Sequence, residues 1–175
     1  MRLIRCLVLS LIIWGTPAIA AFAQVNWMTF EEAVEASKKE KKKIFIDVYT
    51  DWCGYCKMMD RNTFSDPEVA RILNENFYPV KFNAEQREDV EFDGHVFKFV
   101  PAGRYHELAA SLLNNKLSYP TVVFLTENFE MIQPLPGYRK AVEFHMIAQY
   151  IGEDHFRSKS WQEFQQTYKS PYARK

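Results

Sequence analysis

The sequence predicts an α/β domain in which helices cover a mixed central sheet. Three observations carry that prediction. Segments with helical and strand patterning alternate as β-α-β-α, then give two consecutive strands and a closing helix. The run Ile44-Phe45-Ile46-Asp47-Val48-Tyr49-Thr50 is apolar and β-branched, with the length of a buried strand. No repeat, low-complexity segment or linker divides the 175-residue chain, so a single core is expected.

Taken in order, Thr29 to Lys42 reads as a helix. Thr29 and Glu32 have capping-box spacing, and Phe30, Ala33, Val34 and Ser37 share a face. The basic run from Lys38 to Lys43 fits the solvated last turn of that helix, where cations complement the dipole, better than a binding patch. The strand 44–50 follows, and a second helix is expected to begin at Cys53. Asp66-Pro67 has the pattern of an N-cap and first helical residue, opening a helix to Asn76. Phe77 to Asn83 reads as a strand. Between Val90 and Phe99, Asp93-Gly94 lies among alternating apolar residues, which is a hairpin pattern. Gly103 to Asn114 is expected to be helical, with Leu108, Leu112 and Leu113 on its apolar side. Thr121–Thr126 and Met131–Leu135 read as strands joined by a turn at Glu127-Asn128, and Gly137 ends the unit. Helices over Lys140–Ile151 and Trp161–Tyr168 complete the pattern.

Residues 1–23 have the build of a secretory signal peptide. Arg2 and Arg5 precede an apolar stretch from Cys6 to Trp14, and Ala21-Phe22-Ala23 offers a small-x-small cleavage site after Ala23. As a membrane anchor the stretch falls short of the about 20 apolar residues that a spanning helix needs. Cleavage leaves residues 24–175 with 20 basic and 22 acidic residues, a net charge of −2. That balance gives no reason to expect a nucleic-acid or membrane surface. The expected organisation is a signal peptide over 1–23, a domain over 24–152 with an insertion at about 85–102, and a helical C-terminal extension over 153–175. The protein is expected outside the cytosol, periplasmic in a Gram-negative cell and otherwise secreted, and monomeric.

Trp52-Cys53-Gly54-Tyr55-Cys56-Lys57 holds both cysteines that remain after cleavage. A C-x-x-C at a strand-to-helix junction is a place for thiol–disulfide chemistry. Only the thiolate attacks, so one cysteine needs a depressed pKa and some exposure. A helix N-terminus favours the anion, which assigns attack to Cys53. Cys56, one turn along, is then the resolving thiol. Asp47, six residues before Cys53 in the apolar strand, is a candidate to take the Cys56 proton, since desolvation raises a carboxylate's pKa toward neutrality. A solvent-facing Asp47 at a strand edge is the alternative, and alternation along the strand does not choose between them. A loop this short gains little entropic stabilisation from being closed, so a purely structural bond is poorly motivated. A zinc site would need two more ligands, and His95, His106, His145 and His155 show no paired spacing, so no metal is expected. His106 and His145 read as surface or boundary residues of helices.

These residues resemble the thioredoxin superfamily. The resemblance rests on Trp52-Cys53-x-x-Cys56-Lys57, on Asp47 as the family's buried acid, and on Lys81 as the lysine near that acid. It extends to Tyr119-Pro120-Thr121 as the cis-proline segment facing the disulfide, and to Gly137 after the last strand. The segment Thr63 to Val69 is similar to the one that follows the motif in a subgroup of exported bacterial thioredoxin-like proteins. The resemblance covers roughly residues 25–152 and implies a thioredoxin-like fold. It implies catalysis by Cys53 and Cys56 with Asp47 and Pro120, supported by Trp52, Gly54, Tyr55, Lys57 and Lys81. Tyr119, Pro120 and Thr121 would offer backbone to an extended substrate. Protein thiols or disulfides and an external electron donor or acceptor are the implied partners, with no cofactor beyond the Cys53–Cys56 disulfide itself. Tyr55 stands where thioredoxin has proline, giving the dipeptide of bacterial periplasmic disulfide isomerases. With no cation between the cysteines, the potential is expected to be reductase- or isomerase-like rather than strongly oxidising. A redox-silent, protein-binding module with a structural disulfide is the alternative function.

Overall fold

The structure, a computed structural model, describes residues 24–174; the expected signal segment 1–23 lies outside them. Its centre is a four-stranded sheet in the order β2-β1-β7-β8. β1 (Lys43–Tyr49) pairs in parallel with β2 (Phe77–Asn83), and antiparallel with β7 (Thr121–Leu125). β7 pairs antiparallel with β8 (Met131–Pro136). The crossover from β1 to β2 runs through α2 (Gly54–Met59), a π-helical turn (Asp60–Phe64) and α3 (Pro67–Asn76). α1 (Phe30–Lys39) precedes the sheet, and α5 (Ala141–Gly152) closes it. This is a thioredoxin-like fold.

Local signals set most boundaries. Thr29 and Glu32 form the complete capping box of α1. Asp66 accepts the Glu68 and Val69 amides at the start of α3, with Pro67 in the first turn. Asp93 and Gly94, both at positive φ, turn β3 (Val90–Phe92) into β4 (His95–Phe97).

The core lies on both faces of the sheet because β1 is internal. Ile44, Ile46 and Val48 pack toward α1 and α4 (Glu107–Leu112) with Ala33, Leu108 and Leu112. Phe45 packs on the other face with Phe64, Phe124 and Phe144, above α3 and α5. The C-terminal extension joins this face through α6 (Trp161–Thr167), whose Phe164 is buried against Tyr150. It also reaches the start of β1, where the buried Lys43 ammonium bonds Asp154 at 2.9 Å and Glu127 at 2.9 Å.

Three expectations are corrected. The basic run Lys38–Lys43, expected as the solvated last turn of the first helix, divides: α1 ends at Lys39, and Lys43 is buried at the start of β1. The helix expected over Gly103–Asn114 is α4, only Glu107–Leu112. Arg104 takes a left-handed φ of 53°, which breaks the helical path, and Phe99–Val100 pairs with Tyr105–His106 as a short hairpin (β5 and β6). Gly103 lies against the Tyr105 ring, where a Cβ would come within 2.3 Å. His106 and His145, expected at the surface or its boundary, are both buried. His106 caps α4, its Nδ1 accepting the Leu108 amide at 3.2 Å while Nε2 lies 3.0 Å from the Glu88 carbonyl. That arrangement fixes a neutral ring, with Nε2–H as donor. The α5 residue His145 has its Nδ1 2.9 Å from the Tyr168 hydroxyl, under the C-terminal tail.

Burial holds the His106 pKa below its ordinary 6.5. Below that pH the unfolded chain binds a proton that the folded one resists, so this contribution to stability is present above 6.5 and lost on acidification. His106→Asn keeps a capping oxygen but loses the bond to Glu88, and should cost about 1–2 kcal/mol at pH 7. Urea melts at pH 5 and pH 7.5 should show a smaller gap between the two pH values in the variant than in the parent.

Candidate active site

The end of β1 delivers the motif. The Cys53 amide donates to the Thr50 carbonyl at 3.1 Å, closing a tight turn off the strand. Cys53 is then the N-cap of α2, and its sulfur accepts the Cys56 amide at 3.1 Å. Cys53 and Cys56 form a disulfide, with Cα atoms 5.3 Å apart. The flanking Trp52 and Tyr55 are 65 % and 63 % exposed, yet Cys53 is only 4 % exposed and Cys56 2 %. Cys53 is thus less open than an attacking thiol was expected to be, because in the disulfide its sulfur turns toward Cys56 and the first turn of α2. Gly54 faces open space, and Lys57 projects from α2 into solvent.

Asp47 is 1 % exposed. It is not at a sheet edge: β1 has a partner on each side, and Asp47 sits between Lys81 and Val122. It shares its face with Phe45, beneath α2 and the π turn. Its Oδ2 accepts a bond from Lys81 Nζ at 2.6 Å, and Oδ1 has no hydrogen-bond partner among the described residues. Burial pushes the Asp47 carboxyl up to about 6, with the Lys81 ammonium pulling part of the way back. Burial also disfavours the charge of Lys81, but Asp47 and Asp60 outweigh it and leave that ammonium above its ordinary value.

Asp60 is a further member of the site, beyond the residues expected from the sequence. It opens the π turn and also bonds Lys81, so the lysine bridges a buried carboxylate and a partly exposed one. The wide turn also puts the Thr63 hydroxyl on the Arg139 carbonyl at 2.6 Å and buries Phe64. Lys81 Nζ lies over the rings of Tyr49 at 4.9 Å, Trp27 at 5.0 Å and Phe64 at 5.5 Å. Asp60 lies one helical turn past Cys56, and that spacing was the sequence signal available for it.

Antiparallel pairing brings the third part of the site to the same end of the sheet. Thr121 lies opposite Val48, so the residues just before β7 meet the residues just after β1. The Tyr119–Pro120 peptide is cis, and Pro120 is buried. The Pro120 carbonyl accepts the Gly137 amide at 2.8 Å, and Thr121 Oγ1 donates to the Ser118 carbonyl at 2.7 Å. Gly137 has φ of 94°, a conformation open to glycine. The Trp52 and Tyr119 rings meet edge to face, centroids 6.0 Å apart. The structure therefore joins Asp47 to Lys81 and Trp52 to Tyr119 directly, while Lys57 makes no ion pair among the described residues. The arrangement offers a dithiol/disulfide couple, a buried base that titrates near neutrality, and an aromatic surface beside the couple.

The family model Thioredox_DsbH, described as a protein of unknown function, DUF255, matches residues 19–135. Spermatogenesis-associated protein 20 of Mus musculus is 40 % identical over 72 residues, 41 % of this chain and 9 % of that protein. The thiol:disulfide interchange protein DsbD of Salmonella typhi is 32 % identical over 88 residues, 47 % of this chain and 16 % of that protein. The chain thus spans less than a fifth of either relative. A solved structure titled DsbH Oxidoreductase superposes with a TM-score of 0.57 at 19 % identity, over 81 % of this chain and 92 % of the other. Among the described residues no helix is long and apolar enough to cross a membrane.

Proposed function

Because the chain belongs to the Thioredox_DsbH family of thioredoxin-like proteins, we propose that it is an exported thiol–disulfide oxidoreductase, reductase- or isomerase-like, acting on protein substrates. The observation that carries this reading is the Cys53–Cys56 pair at the start of α2 above a buried Asp47 with a pKa of about 6. In the reducing direction the Cys53 thiolate attacks one sulfur of a substrate disulfide. The Cys53–substrate bond forms as the substrate S–S bond breaks, and the departing sulfur takes the electron pair. Asp47 then accepts the Cys56 proton, and the Cys56 thiolate attacks Cys53. The Cys53–Cys56 bond forms, the second substrate thiol leaves, and two electrons have passed to the substrate. An external thiol donor resets the pair; an isomerase cycle ends instead with attack by another substrate thiol. Pro120 and the backbone of Tyr119 and Thr121 receive the extended substrate beside the cysteine pair. The signal peptide is removed after Ala23, and the mature chain works as a monomer with no cofactor but its own disulfide.

The 4 % exposure of Cys53 favours the alternative, a thioredoxin-like binding module whose disulfide is structural. One experiment separates the two. Cys56→Ser removes the resolving thiol, so mixed disulfides with substrates should accumulate through Cys53, visible on non-reducing gels. They should vanish with added reductant and in the Cys53→Ala/Cys56→Ser double variant. If no adduct forms, and Cys53 titrates near the ordinary thiol value of about 8.5, the protein is the binding module.

A further inference from the structure

Three segments leave or enter the sheet at one end. β1 and β2 are parallel and in register up to Tyr49 beside Asn83, so the motif after β1 and the loop after β2 start side by side. β7 enters at that same end, directly after the cis-proline. The loop after β2 is tied to the motif's approach. The Ala84 amide donates to the Tyr49 carbonyl at 2.8 Å, and the Glu85 amide to Asn83 Oδ1 at 2.9 Å. The Asn83 side-chain amide donates to Asp51 Oδ2 at 3.2 Å.

Asp51 and Glu85 therefore flank the Asn83 clamp, next to Trp52. Ala84 bonded to Tyr49 and Thr121 opposite Val48 set Glu85 and Tyr119 on the two sides of the β1 end that leads to Trp52, and the Tyr119 hydroxyl is pushed up first by burial and then by the Glu85 charge. Neither Asp51 nor Glu85 forms an ion pair among the described residues. At the start of the insertion Glu88 follows Arg87, whose guanidinium lies over the Phe99 ring, and Asp89 lies 3.8 Å from Lys98 Nζ, so the unpaired negative charge beside Trp52 is that of Asp51 and Glu85. The cations Lys57 and Arg61 lie one and two turns along the helical segment that Cys53 opens.

We propose that this face selects basic substrates: a cysteine flanked by Lys or Arg, whose cation rests on the Trp52–Tyr119 rings and is held by Asp51 and Glu85. The inference rests on the oxidoreductase reading and deepens it by naming the substrate class. Its physics is charge complementarity joined to a cation–π platform. Exposed aromatic faces attract a cation at short range, and unpaired carboxylates draw it in from a Debye length away. An anionic segment meets repulsion from both carboxylates and gains nothing from the rings.

The test uses the reduced mature chain and three cysteine peptides identical except for flanking Arg, Ser or Glu, each carried as a mixed disulfide with thionitrobenzoate. Cys53 attacks the peptide sulfur, the Cys53–peptide bond forms, and thionitrobenzoate leaves with the electron pair, read by its absorbance. Each rate is divided by that of dithiothreitol on the same peptide, which removes intrinsic reactivity. At about 20 mM salt the Arg peptide should react about tenfold faster than the Glu peptide, falling to under about twofold at 0.5 M salt. In Asp51→Asn/Glu85→Gln the low-salt ratio should drop to about two, with Glu85→Gln alone in between. Equal rates for all three peptides in the parent, or an unchanged ratio in the double variant, would overturn the basic-substrate inference and leave the oxidoreductase reading standing. If no peptide reacts through Cys53, both fall.

Discussion

Asp47→Asn should make the protein more stable at pH 7 and slower in exchange. The folded carboxyl titrates at about 6 against the ordinary 3.8. Between those values the folded chain holds a proton that the unfolded chain has lost, so stability falls as pH rises through that window. Above it the full penalty applies, about 3 kcal/mol at 1.36 kcal/mol per pH unit. Asparagine is never charged and so escapes the penalty. Lys81 keeps Asp60 as a partner and is partly exposed, so losing Asp47 does not strand a buried cation. The gain should read as about 2–3 kcal/mol in urea melts at pH 7 and vanish below pH 4. Under the proposed mechanism the same change removes the acceptor of the Cys56 proton. Resolution of the mixed disulfide should slow by about 10- to 100-fold at pH 7. In the parent this step should gain rate as pH rises through about 6, as Asp47 ionises. A variant that is both less stable and equally fast would refute the assignment. A destabilising carboxylate retained at the motif is what a stability–activity trade-off predicts.

Phe45→Ala should be the most damaging single change in the core. Phe45 is fully buried on the internal strand β1. Its ring meets those of Phe124 at 5.3 Å, Phe144 at 5.4 Å, Phe64 at 5.8 Å, Trp27 at 6.0 Å and Phe77 at 6.4 Å. Truncation loses the transfer free energy of the ring, opens a cavity and ends five aromatic contacts. The expected cost is about 4–5 kcal/mol, the upper end for such a change, or a Tm lower by about 10–15 °C. Two of the five partners, Trp27 and Phe64, also lie against the Lys81 ammonium. The variant should therefore shift the pH at which Asp47 titrates as well as the denaturation midpoint. A cost under about 1 kcal/mol would mean that the neighbouring rings close the gap, so that the aromatic cluster is not rigid.

The parts of the fold legible without its tertiary contacts are those whose signals are local. Asp66-Pro67 starts α3, Thr29 and Glu32 cap α1, and Asp93-Gly94 turns the inserted hairpin. Each works through bonds or dihedral preferences reaching no farther than a few residues, so the sequence displays them complete. The C-x-x-C at the strand-to-helix junction belongs to the same class, since one turn of helix carries both sulfurs. Properties that depend on which strands lie side by side appear only in the folded chain. Asp47 has the same neighbours in sequence whether β1 is an edge or an internal strand; β2 and β7 on either side of it make the carboxyl buried and bring Lys81 to it. Asp60, one turn past Cys56, joins that pair through Lys81, which the parallel pairing of β2 brings beside Asp47. His106 and His145 look like ordinary helix residues until β2, the insertion and the C-terminal tail close over them. Caps and turns are short-range, whereas desolvation and charge pairing act between residues the fold brings together, and these set the pKa of the base beneath the disulfide.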